Sequence, residues 1–399
     1  MTINKCRVCE NDFFEKPLLR YENMPSTAQY LPDIESLERD KGIVLEVCQC
    51  SKCGLVQLNN EPVPYYKEVI RASGFSEEMK NFRLEQFKEF TKKYSLGNKK
   101  IIEIGCGRGE YLSLMQNFIT NSSGLEYSES SVIQGNREGL RISKGFIEKD
   151  SDRLKNSPFD GFYILSFLEH LPNINSVLKG ISNNLTEKAV GIIEVPNFDM
   201  ILERNLFSEF ARDHLFYFTE ETLSSTLNRN GFEIIECKEI WQDYIISAVV
   251  KKKIYDETNI PIRKKEKLDL SEFNNHQNKI TRELTNYINQ FGDKKTAIWG
   301  AGHQSFSILS LAKLEDKIRY VVDSATFKQG KYTPATHIPI VHPDTLMSNP
   351  VDSIIIMAGS YSDEVSNIIK IKYKNKLEDK VKKINIAILR DFGLEEINE

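Results

Sequence analysis

Short apolar runs separated by helically patterned segments occur in two stretches of this chain, one from Lys100 to Lys251 and one towards the C-terminus. In the first, the runs KIIEIG, SSGLEY, FDGFYIL and AVGIIEV have strand length, and GFEIIECKEI and YIISAVVKKK close it. Such alternation predicts a largely parallel sheet with helices on both faces. Upstream, SEEMKNFRLEQFKEFTKKY places apolar residues at helical spacing and predicts a helix from Ser76 to Tyr94. The charged segment Lys251–Lys267 reads as a linker, followed by a helix through His276–Phe291. KKTAIWGAGHQ, KIRYVVDS, SIIIMAG and INIAIL then restart the pattern as a second nucleotide-fold-like unit. The first 60 residues offer short strand-like runs such as Ile43–Cys48 and Gly54–Leu58, too little apolar surface for a sizeable core.

A length of 399 residues exceeds one ordinary core, and the expected domains span residues 1–75, 76–255 and 256–399. No apolar run approaches the roughly 18–20 residues of a membrane span, and the N-terminus has no apolar signal region, so a cytoplasmic protein without membrane insertion is expected. The net charge of -4 gives no general attraction to nucleic acid, which leaves a small molecule as the simpler partner.

Five of the seven cysteines lie in the first 53 residues. Cys6 and Cys9, and again Cys50 and Cys53, have two residues between them, so each pair presents two thiolates from one tight turn. Four sulfurs are the ligand set of a structural zinc ion, and a reducing compartment favours metal over disulfides. Such a closed site has no open position for water, so the zinc holds the module together. Cys48 stands outside the pattern.

The run IIEIGCGRGEYL is a strand, a glycine turn and a helix start. Gly105, Gly107 and Gly109 let backbone approach a ligand, Glu103 precedes the turn, and Glu126 ends the next strand, about twenty residues on, where a carboxylate can take ribose hydroxyls. A nicotinamide turn would require glycine at 110, which is Glu110. The motif Glu103-Ile104-Gly105-Cys106-Gly107-Arg108-Gly109 resembles that of class I S-adenosylmethionine-dependent methyltransferases. The resemblance implies that Glu103 faces the donor's amino-acid end. It also implies that Phe146, Ile147 and Glu148 lie near the adenine, and that Leu165 and Ser166 line the donor pocket.

The wider order of CRVC, NMPSTAQYL, CQCSKCGLVQL, IIEIGCGRG, IIEVPN, DHLFYFT, WGAGHQ and YVVDSATFKQGKYTPATHIPI is similar to the sugar C-methyltransferases that act on nucleotide-linked keto-deoxysugars. That family implies an α/β fold: a class I methyltransferase Rossmann-like core, a small N-terminal zinc module and a C-terminal Rossmann-like domain. Its base motif, Y-H-E-H-x-x-Y-F, stands here as Ala211-Arg212-Asp213-His214-Leu215-Phe216-Tyr217-Phe218. The resemblance makes His214 the general base and Asp213 its carboxylate. The motif's first tyrosine and histidine are missing, which leaves carbon and oxygen methylation both open.

The resemblance also points to substrate contacts at Tyr65, Tyr66 and Ser73. In the C-terminal domain, Gly302 and His303 belong to the glycine turn, Asp323 ends the next strand, and Lys328, Lys331 and His337 follow in the loop. The expected partner is a nucleotide-linked sugar. A sugar O-methyltransferase, an oxidoreductase binding NAD through the C-terminal turn, and a zinc-bearing scaffold are the rival classes.

Overall fold

The computed structural model describes residues 2–68, 76–254, 265–374 and 384–397. The chain forms two compact units, each assembled from separated stretches. The first takes Met1–Lys16, Cys48–Met200 and His214–Lys267; the second takes Pro17–Val47, Ile201–Asp213 and Leu268–Glu399. The expected N-terminal module, residues 1–75, is therefore divided: its cysteine pairs lie in the first unit, while 17–47 lie with the C-terminal residues.

The first unit is built on seven strands: β1 (Ile101–Ile104), β2 (Ser122–Glu126), β3 (Ile142–Lys144), β4 (Phe159–Leu165), β5 (Leu185–Pro196), β6 (Phe232–Ile240) and β7 (Ile245–Lys252). Their spatial order is β3-β2-β1-β4-β5-β7-β6. The first five are parallel, and β7 runs antiparallel between β5 and β6. All four residues of β1 are buried, as a strand covered on both faces requires. The chain leaves β1 on one side for β2 and reaches β4 on the other, so the crevice at the carboxyl ends of β1 and β4 is the topological switch point, where ligands bind in open α/β sheets.

Among the described residues, α1 (Glu77–Lys93), α2 (Glu110–Met115), α3 (Glu129–Arg137), α4 (Ile174–Asn183) and α5 (Glu220–Arg229) flank this sheet. The bounds of α1 follow from its ends: the Ser76 hydroxyl accepts from Met79 N at 3.1 Å, and Tyr94 closes the helix. Arg83, Phe87 and Phe90 fall on its buried face. Cys6, Val8, Cys50 and Leu55 pack in one apolar cluster with Phe162, Leu178 and Leu227, so the cysteine turns share the core of the sheet. Beside them, the strand Val56–Leu58 pairs antiparallel with Phe216–Tyr217.

The second unit is built on a six-stranded sheet, β8 (Thr296–Trp299), β9 (Ile318–Val322), β10 (Ile340–Val341), β11 (Ser353–Ile356), β12 (Asn385–Arg390) and β13 (Gly393–Glu396), in the order β10-β9-β8-β11-β12-β13. Only β13 is antiparallel to its neighbour. Helix α6 (Ser271–Asn289) begins five residues before the expected His276, and α7 is His303–Leu311. The strand Leu19–Met24 pairs antiparallel with Ile43–Gln49, Tyr21 Oη donates to Gln277 Oε1 at 2.8 Å, and Tyr332 N donates to Pro32 O at 2.8 Å. These bonds fix residues 17–47 within this unit. No helix among the described residues is long and apolar enough to cross a membrane.

Candidate active site

Each cysteine turn closes on a residue in the left-handed region: Glu10 (φ 60°) after Cys9, and Gly54 (φ 79°) after Cys53. Glu10 N donates to Cys6 O at 3.0 Å and Gly54 N to Cys50 O at 3.1 Å. The turns bring Cys6 Sγ within 3.7 Å of Cys53 Sγ and Cys9 Sγ within 3.4 Å of Cys50 Sγ, and all four sulfurs lie within 4.8 Å of one another. Four thiolates around a tetrahedral zinc with bonds of about 2.3 Å stand about 3.8 Å apart, so the donor set fits. Val8 N and Gln57 Nε2 donate to Cys6 Sγ at 3.4 and 3.2 Å, and Cys53 N donates to Cys50 Sγ at 3.4 Å, contacts that favour thiolate over thiol. Asn175 on α4 donates to Val8 O at 2.8 Å, anchoring the first turn to the core.

At the glycine turn, Gly105, Gly107 and Gly109 have φ of 70°, 57° and 91°. A Cβ at Gly105 would lie 2.3 Å from the Phe167 ring, so the turn makes a cradle that only glycine leaves open. Gly109 starts α2, where a Cβ would meet Leu140 at 2.2 Å. Glu103 and Glu126 are both buried at the sheet's carboxyl edge. The Glu126 carboxylate accepts from Gly107 N at 2.9 Å and Ser128 N at 2.8 Å, so it braces the turn.

Gly105, Phe146, Ile147 and Phe167 line a small pocket in this unit, together with Lys67 and Tyr127. The Lys67 ammonium lies 5.1 Å from the Phe146 ring centre, 5.6 Å from Tyr127 and 5.7 Å from Tyr66, and pairs with Glu148 at 3.3 Å. Leu165 is buried in the apolar cluster with Phe87 and Ile192. Ser166 is exposed at φ 49°. Tyr65 is buried, Tyr66 meets Phe146 edge-on at 6.1 Å, and Ser73 lies outside the described residues.

After β4 a single turn, Leu168–His170, brings Glu169 and His170 to the same edge. Leu215 N donates to Glu169 O at 2.8 Å, which holds the following loop against this turn and sets the His214 ring 4.9 Å from the His170 ring at 71°. His170 in turn lies 6.4 Å from the ring of Phe167, which lines the cavity. Burial pushes the Glu169 carboxyl above the usual carboxylate range, while His170 pulls it the other way. Helix α1 contributes a buried ion pair that the sequence pattern does not reveal, Arg83 with Glu194 of β5 at 2.5 Å.

In the second unit, Asp213 Oδ2 accepts from Ala28 N at 3.1 Å. Gly302 N donates to Ser305 Oγ at 3.2 Å, and His303 Nε2 lies 3.4 Å from Glu209 Oε1. His303 borders a small pocket with Met24, Phe210, Arg212 and Phe306. The Asp323 carboxylate accepts from Ala301 N at 2.9 Å, Ala325 N at 2.8 Å and Lys328 Nζ at 3.1 Å. His337 Nε2 pairs with Asp40 at 2.8 Å, and Lys331 lies in the loop whose backbone bonds Lys328 and Ile340.

Residues 75–237 match the family model for a methyltransferase domain, and residues 233–377 match the model for a C-methyltransferase C-terminal domain. The chain is similar to the C-methyltransferase NovU of Streptomyces niveus, 21% identical over 389 residues, with 91% of each chain covered. Among solved structures, an S-adenosylmethionine-dependent methyltransferase from Clostridium acetobutylicum overlaps 47% of this chain and 96% of its own, at 15% identity and a TM-score of 0.37. The plantazolicin methyltransferase BpumL in complex with SAH overlaps 44% of this chain and 86% of its own, at 15% identity and a TM-score of 0.35.

Proposed function

We propose that this chain, a methyltransferase carrying the C-terminal domain of the C-methyltransferases, moves a methyl group from S-adenosylmethionine to a carbon beside the ketone of a nucleotide-linked sugar. One arrangement carries the reading: Phe167 joins the cavity at the glycine turn to His170, and His170 packs against His214. A basic side chain thereby stands at the edge where the donor would bind. The likeness to NovU and the C-methyltransferase domain favour carbon over oxygen as the acceptor atom.

Gly105, Gly107 and Gly109 let the backbone approach the donor, Glu103 and Glu126 face its amino-acid and ribose moieties, and Phe146 and Ile147 flank its adenine. S-adenosylmethionine supplies an activated methyl group, so the protein's tasks are alignment and proton removal. His214 takes the proton from the carbon next to the ketone, and the electron pair left behind moves into an enolate. That carbon forms the new bond to the methyl group as the sulfonium bond breaks to a neutral thioether, and His214 later releases its proton to water. Cys6, Cys9, Cys50 and Cys53 hold a structural zinc ion.

Incubation with S-adenosylmethionine and a panel of nucleotide-linked sugars, in hydroxyl and 4-keto forms, tests this reading by mass spectrometry. A 4-keto sugar should gain one methyl group on carbon. A methyl group found only on oxygen would replace this assignment with sugar O-methylation.

A further inference from the structure

Glu169, His170 and His214 each offer one ligand atom, and these atoms lie within 4.8 Å of one another. His170 Nε2 is 3.8 Å from Glu169 Oε1. Ligand atoms on one ion with bonds of about 2.0–2.1 Å stand about 3–3.5 Å apart, so small side-chain rotations close the set. The positions are held by backbone: one turn carries Glu169 and His170, and the Leu215 N to Glu169 O bond fixes the loop bearing His214. A second observation points to a cation. Glu169 is 1% exposed, and its Oε2 has no hydrogen-bond partner among the described residues. A buried carboxylate oxygen without a partner is costly, and a coordinated cation is one of the few groups that offsets the cost.

We infer that Glu169, His170 and His214 form a second metal site, distinct from the four-cysteine cluster, that takes a divalent first-row transition ion such as zinc. Two imidazoles and one carboxylate suit such ions and leave positions open for water. The nitrogen lone pair of His214 that would accept the substrate proton is the pair that binds the ion. Metal-bound and base-active states therefore exclude each other, and occupancy stops methyl transfer. This inhibitory consequence rests on His214 being the base, whereas the binding itself does not.

The test uses the full chain with zinc in its cysteine cluster, titrated with cobalt(II). The expected result is one further bound ion per chain, with visible ligand-field absorption and no thiolate charge-transfer band, and with affinity reduced about tenfold or more in both Glu169→Gln and His170→Asn. Methyl transfer should fall with the same half-saturation as the absorption rises and recover on chelation of the added ion. No further ion, or an ion bound equally by both variants, overturns the site while leaving the base assignment untouched. An ion that binds through these residues without slowing turnover keeps the site and removes His214 as the base.

Discussion

Arg83 Nη1 lies 2.5 Å from Glu194 Oε2, with 1% and 0% of the two side chains exposed. Gln86 and Ser247 also donate to Glu194 Oε1, at 2.5 and 3.0 Å, so helix α1 is joined to β5 and β7 through one carboxylate. Removing one member of a buried pair leaves the other charge uncompensated, a loss of about 3–5 kcal/mol. Arg83→Met should destabilise by that order in denaturant unfolding, and adding Glu194→Gln should recover some of it. A single variant within about 0.5 kcal/mol of the parent would show that the pair contributes nothing.

The four-cysteine cluster packs in the same apolar cluster as β4 and α4, so a metal held there should stabilise the sheet as well as the turns. Elemental analysis should find about one zinc per chain at this cluster. Cys50→Ser should lose it and lower the unfolding midpoint of the methyltransferase core. Zinc-free protein with an unchanged midpoint would rule out a structural metal.

Donor binding should depend on Glu126. Glu126→Ala removes the acceptor of Gly107 N and Ser128 N along with the proposed ribose contact, so affinity for S-adenosylmethionine should fall by about 1.5–3 kcal/mol in calorimetry. Unchanged affinity with lowered stability would reduce Glu126 to a brace of the turn.

Local chemistry accounts for what is legible in the chain. Ser76 and Tyr94 bound α1 because a capping hydroxyl and helical spacing are written in adjacent residues. The glycine turn and the cysteine pairs are legible because their spacing carries their geometry. Arg83 and Glu194 are not, since a charged residue on an otherwise amphipathic helix reads as solvated until a distant strand supplies its partner. Lys67 and Tyr127 reach the cavity through packing that no local pattern encodes. The division of residues 1–75 between two units rests on long-range bonds such as Tyr21 to Gln277.

If His214 removes a proton from carbon, that carbon should exchange its proton with solvent. Wild-type enzyme with the identified keto sugar in deuterated water should exchange the proton beside the ketone. His214→Asn should lose exchange and methyl transfer together, by about 10²–10⁴-fold, while still binding S-adenosylmethionine. A His214→Asn enzyme that exchanges and methylates at near wild-type rates would contradict this mechanism and place the base elsewhere.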